Sequence, residues 1–180
     1  MTHSMKTRGF TLVETLVAIT IMTLAILGPF EAVERVVAQS RLAQDQLVAA
    51  SLAQEGLEYV RFIRYNNYLE SGMDSGVDYL DGIDASPKNC TGTNKCTIDA
   101  KDSIVAQCSG ACTPPYIDSE GFYNQQSSGT KSIFTRSMSV SHHSAVNGAD
   151  SSYDTATVTI TWTDHGSQSM TLTENFYDWL

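Results

Sequence analysis

The chain has 180 residues, with 20 acidic against 11 basic and a net charge of −9. That balance argues against general nucleic-acid binding, which needs a concentrated basic surface. The length leaves room for one modest domain beside any long helix.

Met1-Thr2-His3-Ser4 precedes a second methionine, and a start at Met5 would give the tidier leader MKTRGF. From Phe10 to Phe30 the sequence is almost continuously apolar. As a helix rising about 1.5 Å per residue, this stretch is roughly 30 Å long, enough to cross a bilayer core. The apolar stretch of a secretory signal peptide is shorter, about 7–15 residues, and ends at a small-residue cleavage site. A plain membrane anchor fits the length but leaves Glu14 unexplained, because a carboxylate in lipid costs about 2.5–3.5 kcal/mol. A buried core helix would need other large apolar helices around it, and the chain offers few. Lys6 and Arg8 lie before the apolar run and acids soon after it, which orients the N-terminus to the cytoplasm and everything from Glu31 outside.

Lys6-Thr7-Arg8-Gly9-Phe10-Thr11-Leu12-Val13-Glu14, followed by the apolar run, resembles the class III leader of type IV pilins and type II secretion pseudopilins. The resemblance implies that a prepilin peptidase, acting on the cytoplasmic side, cuts between Gly9 and Phe10 and methylates the new amino terminus at Phe10. It also implies partners: other pilin or pseudopilin subunits, an inner-membrane assembly platform and membrane lipid. Glu14 would then face the Phe10 amine of a neighbouring subunit, since a carboxylate in an apolar bundle is tolerable only if paired. The alternative for Glu14 is a carboxylate near the headgroups. A cut after Gly9 removes two basic residues, Lys6 and Arg8, and no acid, leaving −11.

Gly28-Pro29 closes the apolar run, and proline inside a helix predicts a kink or local loosening. A simple membrane-exit signal is the other reading. From Glu31 to about Tyr65 the pattern stays helical and turns amphipathic, with Ala43, Leu47, Ala50 and Leu57 on one face, continued by Val60 and Ile63. Small alanines there would let a sheet or helix approach closely. Gly56 reads as a soft spot costing about 1 kcal/mol relative to Ala. The stretch AQEGLE, 53–58, resembles a segment of some minor pilin-like proteins.

Asn66-Asn67 ends the helical pattern, and residues 67–131 read as a loop-rich region. Asp74, Asp78, Asp81, Asp84 and Asp99 do not have the spacing of a twelve-residue calcium loop, so solvated acids are expected and no metal or cofactor is assigned. All four cysteines, Cys90, Cys96, Cys108 and Cys112, fall in this region. On the oxidising side of a membrane they read as two disulfides with three possible pairings, of which Cys90–Cys96 with Cys108–Cys112 is expected from proximity. A zinc site is the rival, but C-x5-C and C-x3-C depart from the usual C-x2-C pairs.

Residues 132–180 hold the best strand candidates. Ile133–Val140 alternates loosely, whereas Thr157–Trp162 alternates cleanly and puts Val158, Ile160 and Trp162 on one face. Asp164-His165-Gly166-Ser167 is a turn, and Ser169–Thr173 returns as the partner strand. This hairpin resembles the closing hairpin of minor pilins and minor pseudopilins. Ser141 with His142-His143, or Asp164-His165, could be pieces of a nucleophilic triad, but no nucleophile-elbow, phosphate-loop or HExxH motif accompanies them. No enzymatic activity is expected.

The expected architecture is α+β and type IV pilin-like: leader 1–9, membrane or filament-core helix 10–30, amphipathic helix 31–66, the cysteine-containing region 67–131, and an antiparallel sheet 132–180. The resemblance implies a minor pilin or minor pseudopilin in the inner membrane, with its head outside the cytoplasm, assembled into a surface or periplasmic filament. The alternatives are a membrane-anchored, disulfide-braced binding domain that never polymerises, and a secreted domain released by ordinary signal peptidase.

Overall fold

The computed structural model describes residues 9–71, 79–84, 88–144, 152–164 and 166–177. Its first element is helix α1, Leu12–Glu70. Thr11 starts it: the Thr11 carbonyl accepts from the Glu14 and Thr15 amides at 3.1 and 3.2 Å, and its hydroxyl accepts from the Glu14 amide at 3.3 Å. Threonine followed three residues later by glutamate is the spacing of a capping box, which satisfies amides that the first turn leaves without helical partners. Pro29 lies inside α1, and the helix continues past it. The chain forms two compact units, residues up to Gln44 and residues from Asp45 onwards.

In the second unit the 45–70 part of α1 packs against antiparallel strands. These are β1 (Cys96–Asp99), β2 (Ile104–Gln107), β3 (Tyr116–Ile117), β4 (Tyr123–Asn124), β5 (Thr130–Lys131), β6 (Thr135–His143), β7 (Tyr153–Thr163) and β8 (Ser167–Tyr177). A five-stranded sheet has the order β2-β1-β6-β7-β8, and a three-stranded sheet has the order β4-β3-β5. The expected α+β arrangement, a long N-terminal helix packed against antiparallel sheet, is present.

Alternation decides the faces of the large sheet. Ala156, Val158, Ile160 and Trp162 of β7 point into the core with Met138 and Val140 of β6, against Ala49, Leu52, Ala53 and Val60 of α1. Strands β6, β7 and β8 are longer than the sequence pattern predicts. Register runs unbroken from Thr135↔Thr161 to His143↔Tyr153, and from Tyr153↔Tyr177 to Thr163↔Ser167.

Three expectations change. The buried stripe of α1 is only partly the predicted one: Leu57 and Val60 are buried as expected, but Leu47 is 72% exposed and Ala43 is exposed, while Ala49, Leu52, Ala53 and Gly56 are buried instead. Small residues carry little weight in an apolar pattern, yet they let the sheet come close. A Cβ on Gly56 would stand 3.0 Å from Val158 Cγ1. Second, α1 runs past Asn66-Asn67 to Glu70, because the Asn67 side chain donates to the carbonyls of Tyr79 and Asp81 at 3.0 and 2.9 Å. Third, the cysteine-containing region is not only loop, since it supplies β1 and β2 to the large sheet and β3–β5 to the small one.

Arg136 is a further surprise. It occupies an inward position of β6 between Phe134 and Met138 and is 1% exposed. Its guanidinium donates to the Leu52 carbonyl of α1 at 3.1 Å and to the Ile98 carbonyl of β1 at 2.6 Å, and lies 3.3 Å from the Glu55 carboxylate. One side chain therefore ties α1, β1 and β6 together.

Candidate functional site

The N-terminal part of α1 is the one helix among the described residues long and apolar enough to cross a membrane, and none of its apolar window is buried. Phe10, Leu12, Val13, Leu16, Ile19, Met22, Leu24, Ile26 and Phe30 are all exposed, which places apolar side chains around the whole circumference. A helix apolar all round requires an apolar surrounding, protein or lipid. Its polar atoms are managed locally. Thr15, Thr20 and Thr23 donate their hydroxyls to the carbonyls three residues earlier, Leu12, Val17 and Thr20, at 2.8 to 2.9 Å. Such back-bonding is how hydroxyls are accommodated where water is absent.

Glu14 is the one acid in the first turn of this helix. Its carboxylate there favours the positive end of the helix dipole. Gly9 and Phe10 lie just before the capping Thr11, in non-helical backbone, and both are exposed. The peptide bond between them is thus outside the helix, where a protease could reach it. Lys6, Thr7 and Arg8 lie outside the described residues.

Residues 4–28 match the family model of the prokaryotic N-terminal methylation motif. The chain is type IV pilin-like. No curated protein and no solved structure matches it. The motif match and the exposed apolar helix concern the same residues, so the leader of this pilin-like chain and the helix behind it form one functional segment.

The head of the pilin-like chain is braced by two disulfides, Cys90–Cys96 and Cys108–Cys112. The first sits where the sheet is thinnest. β1 meets β6 through a single ladder pair, Cys96↔Met138, and beside it the Val140 amide donates to the Cys90 carbonyl at 2.7 Å. The second closes the short turn that leads from β2 towards β3.

Of the aspartates considered for calcium, Asp74 and Asp78 lie outside the described residues. Asp99 is fully buried, and its two oxygens accept from the Asp102 amide at 3.1 Å and the Gln125 amide at 2.6 Å. It joins the two sheets instead, helped by Gln125 Nε2 donating to Thr97 Oγ1 at 2.7 Å. Among the described residues no group of three or more His, Cys, Asp and Glu side chains is arranged to hold a metal.

The possible triad pieces are split between two faces of the sheet. Ser141 shares its face with His143, whose ring stacks on Tyr153 at 4.6 Å, while His142 points to the opposite face, where its Nδ1 contacts Asp154 Oδ1 at 2.8 Å. Asp164 lies in the β7–β8 turn, and His165 is outside the described residues.

One charged loop stands out electrostatically. Asp118, after β3, pairs with Lys101 and accepts from the Glu120 and Phe122 amides, both at 2.9 Å. The Lys101 hydrogen bond first, then the Phe122 amide, holds its carboxyl well below the ordinary 3.8, at about 2.

Proposed function

We propose that this chain is a minor pilin or minor pseudopilin, a structural subunit that enters a type IV pilus or type II secretion-like filament through its N-terminal helix. Prepilin peptidase cuts between Gly9 and Phe10 and methylates Phe10. The segment 10–30 is held in the inner membrane before assembly, with the leader cytoplasmic and the head outside the cytoplasm. In the filament, neighbouring helices replace lipid around that segment. The observation that carries this reading is the apolar helix exposed on all sides directly behind a methylation motif.

Electrostatics gives the cut a consequence. Cleavage creates an α-amino group, with an ordinary pKa of about 7.7–8.0, next to the positive end of a helix dipole. Two positive features then adjoin at the start of an apolar segment, and Glu14 supplies an anion for them. The pairing we assign is between Glu14 of one subunit and the Phe10 amine of the next. The closing hairpin β7–β8 supports the choice of a minor over a major subunit.

The second reading is a membrane-anchored binding domain that does not polymerise, favoured by the disulfide-braced head with its own core. Intact mass and N-terminal sequencing, from cells with and without prepilin peptidase, separate the two. The filament reading requires a peptidase-dependent start at Phe10 with the apolar segment retained. A full-length leader in both cells would leave the anchored domain, and loss of the whole apolar run would mean a secreted one.

A further inference from the structure

The face of the large sheet turned away from α1 has an unusual composition. Because β6, β7 and β8 are paired without interruption, their odd-numbered residues share this face. Ser137, Thr159 and Thr171 form one cross-strand row, and Ser139, Thr157 and Thr173 form the next. Every odd-numbered residue of the three strands is Ser or Thr, apart from Asn175 and an end row of His143, Tyr153 and Tyr177. None of them is buried. Strand propensity accounts for some threonine. It does not account for the missing charge, since solvent-facing and edge strands are normally protected by Lys, Glu or Pro. No Asp, Glu, Lys or Arg stands at an odd-numbered position of these three strands.

We propose that this face binds a neutral polysaccharide lying across β6, β7 and β8. The other ligand classes lack a foothold. Phosphate or nucleic acid would need cations, and a metal ion would need carboxylates. A protein partner would need Trp, Tyr or Arg anchors near the centre of the patch, and here the tyrosines stand only in its end row. What remains is a lattice of groups that both donate and accept hydrogen bonds, which is what a polyhydroxylated chain presents in return. The lattice is also pre-ordered. Threonine is stiff at its single side-chain rotor, so little rotamer freedom is lost on binding. Neighbouring groups already hold one another: the Thr159 and Thr171 hydroxyls bond at 3.0 Å, and the Thr155 hydroxyl donates to Asn175 Oδ1 at 2.8 Å. The end row adds a different chemistry. His143 and Tyr153 stack at 4.6 Å, and Tyr153 and Tyr177 approach to 5.4 Å. Such rigid rings, apolar in body and polar at the tip, offer surface to the C–H faces of a sugar.

The test uses the full-length chain in detergent micelles, mixed with cellulose, chitin or mannan particles and with alginate beads as an acidic control. Depletion from the supernatant by at least one neutral polysaccharide, and not by alginate, is the expected result. Thr159→Lys and Thr159→Glu should each weaken retention at least tenfold, and Thr159→Val a few-fold, with tryptophan emission unchanged in all three. No retention of the unaltered chain on any of the three particles overturns the proposal, as does retention indifferent to both charged variants. Self-association abolished by Thr159→Lys would make the face an interface between copies, and hexose mass on its serines or threonines would make it a modified surface. Either outcome overturns polysaccharide binding. None of these results depends on how the N-terminus is processed.

Discussion

Gly56 and Arg136 decide how closely α1 approaches the sheet. Replacing Gly56 with alanine would ordinarily stabilise a helix by about 1 kcal/mol. Here the new methyl meets Val158 Cγ1 at 3.0 Å and Cγ2 at 3.2 Å, and Val158 is fully buried in β7. We expect Gly56→Ala to forfeit that gain and Gly56→Val to destabilise by about 1–3 kcal/mol through overpacking, measured by urea unfolding. A full 1 kcal/mol gain in Gly56→Ala would show that the contact is looser than described. Arg136 behaves differently, because its carbonyl partners Leu52 and Ile98 are held by backbone while Glu55 is partly exposed. Arg136→Ala removes volume and hydrogen bonds together and should cost about 3 kcal/mol, whereas Arg136→Met keeps the volume and should cost less than about 1.5 kcal/mol. Equal losses would place the cost in the hydrogen bonds. At Asp118 the depressed carboxyl adds stability above its ordinary value of 3.8 and loses it as pH falls towards 2. The Glu120 and Phe122 amide shifts should therefore titrate with a midpoint near 2, and a midpoint near 4 would mean that Lys101 does not hold Asp118 in solution.

Between elements, the weakest joint is β1 against β6, where one ladder pair is reinforced by Cys90–Cys96. A disulfide closing so short a loop stabilises by about 2 kcal/mol in the chain-entropy account. Cys90→Ser with Cys96→Ser should lower stability by about that amount, and hydrogen exchange should rise first in β1 and β2 while β6–β8 stay protected. Uniform exchange over the whole sheet would show that the joint is not local. This joint also explains which elements were legible in the sequence. Strands β7 and β8 could be read because Val158, Ile160 and Trp162 repeat every second residue. β1 and β2 could not, since each is four residues long, and β1 is held by Arg136 on Ile98 and by the Gln125 amide on Asp99, contacts distant in sequence. The helix was legible as a helix, but its buried face only at Leu57 and Val60, because Ala49, Ala53 and Gly56 act through their smallness. The leader was readable as a motif, whereas the Thr11–Glu14 cap emerged only with the structure, because apolar periodicity does not register it.

For the whole molecule, the central question is what Glu14 does under the proposed removal of the leader. Two roles compete for the same residue. As the third residue after Thr11, it belongs to a capping sequence that steadies the first turn of α1. As a carboxylate in an apolar segment, it is tolerable if it meets a cation, and the proposed cation is the Phe10 amine of a neighbouring subunit. Glutamine separates the roles, because it serves the capping box as well as glutamate does yet carries no charge. Glu14→Gln should therefore be cut by prepilin peptidase, inserted and folded with both disulfides formed, while its incorporation into filaments falls at least tenfold. Glu14→Ala should lose the same incorporation and in addition fray the first turn, a local cost of about 1 kcal/mol or less. Quantifying sheared filaments against the membrane pool, with cleavage checked by mass, measures all of these steps. If Glu14→Gln assembles normally and Glu14→Ala does not, the cap is the function of Glu14 and subunit register comes from the apolar side chains alone. If neither variant assembles and both are cut at Gly9, the charge itself is needed, because the cap alone cannot distinguish a glutamine-bearing helix from the native one.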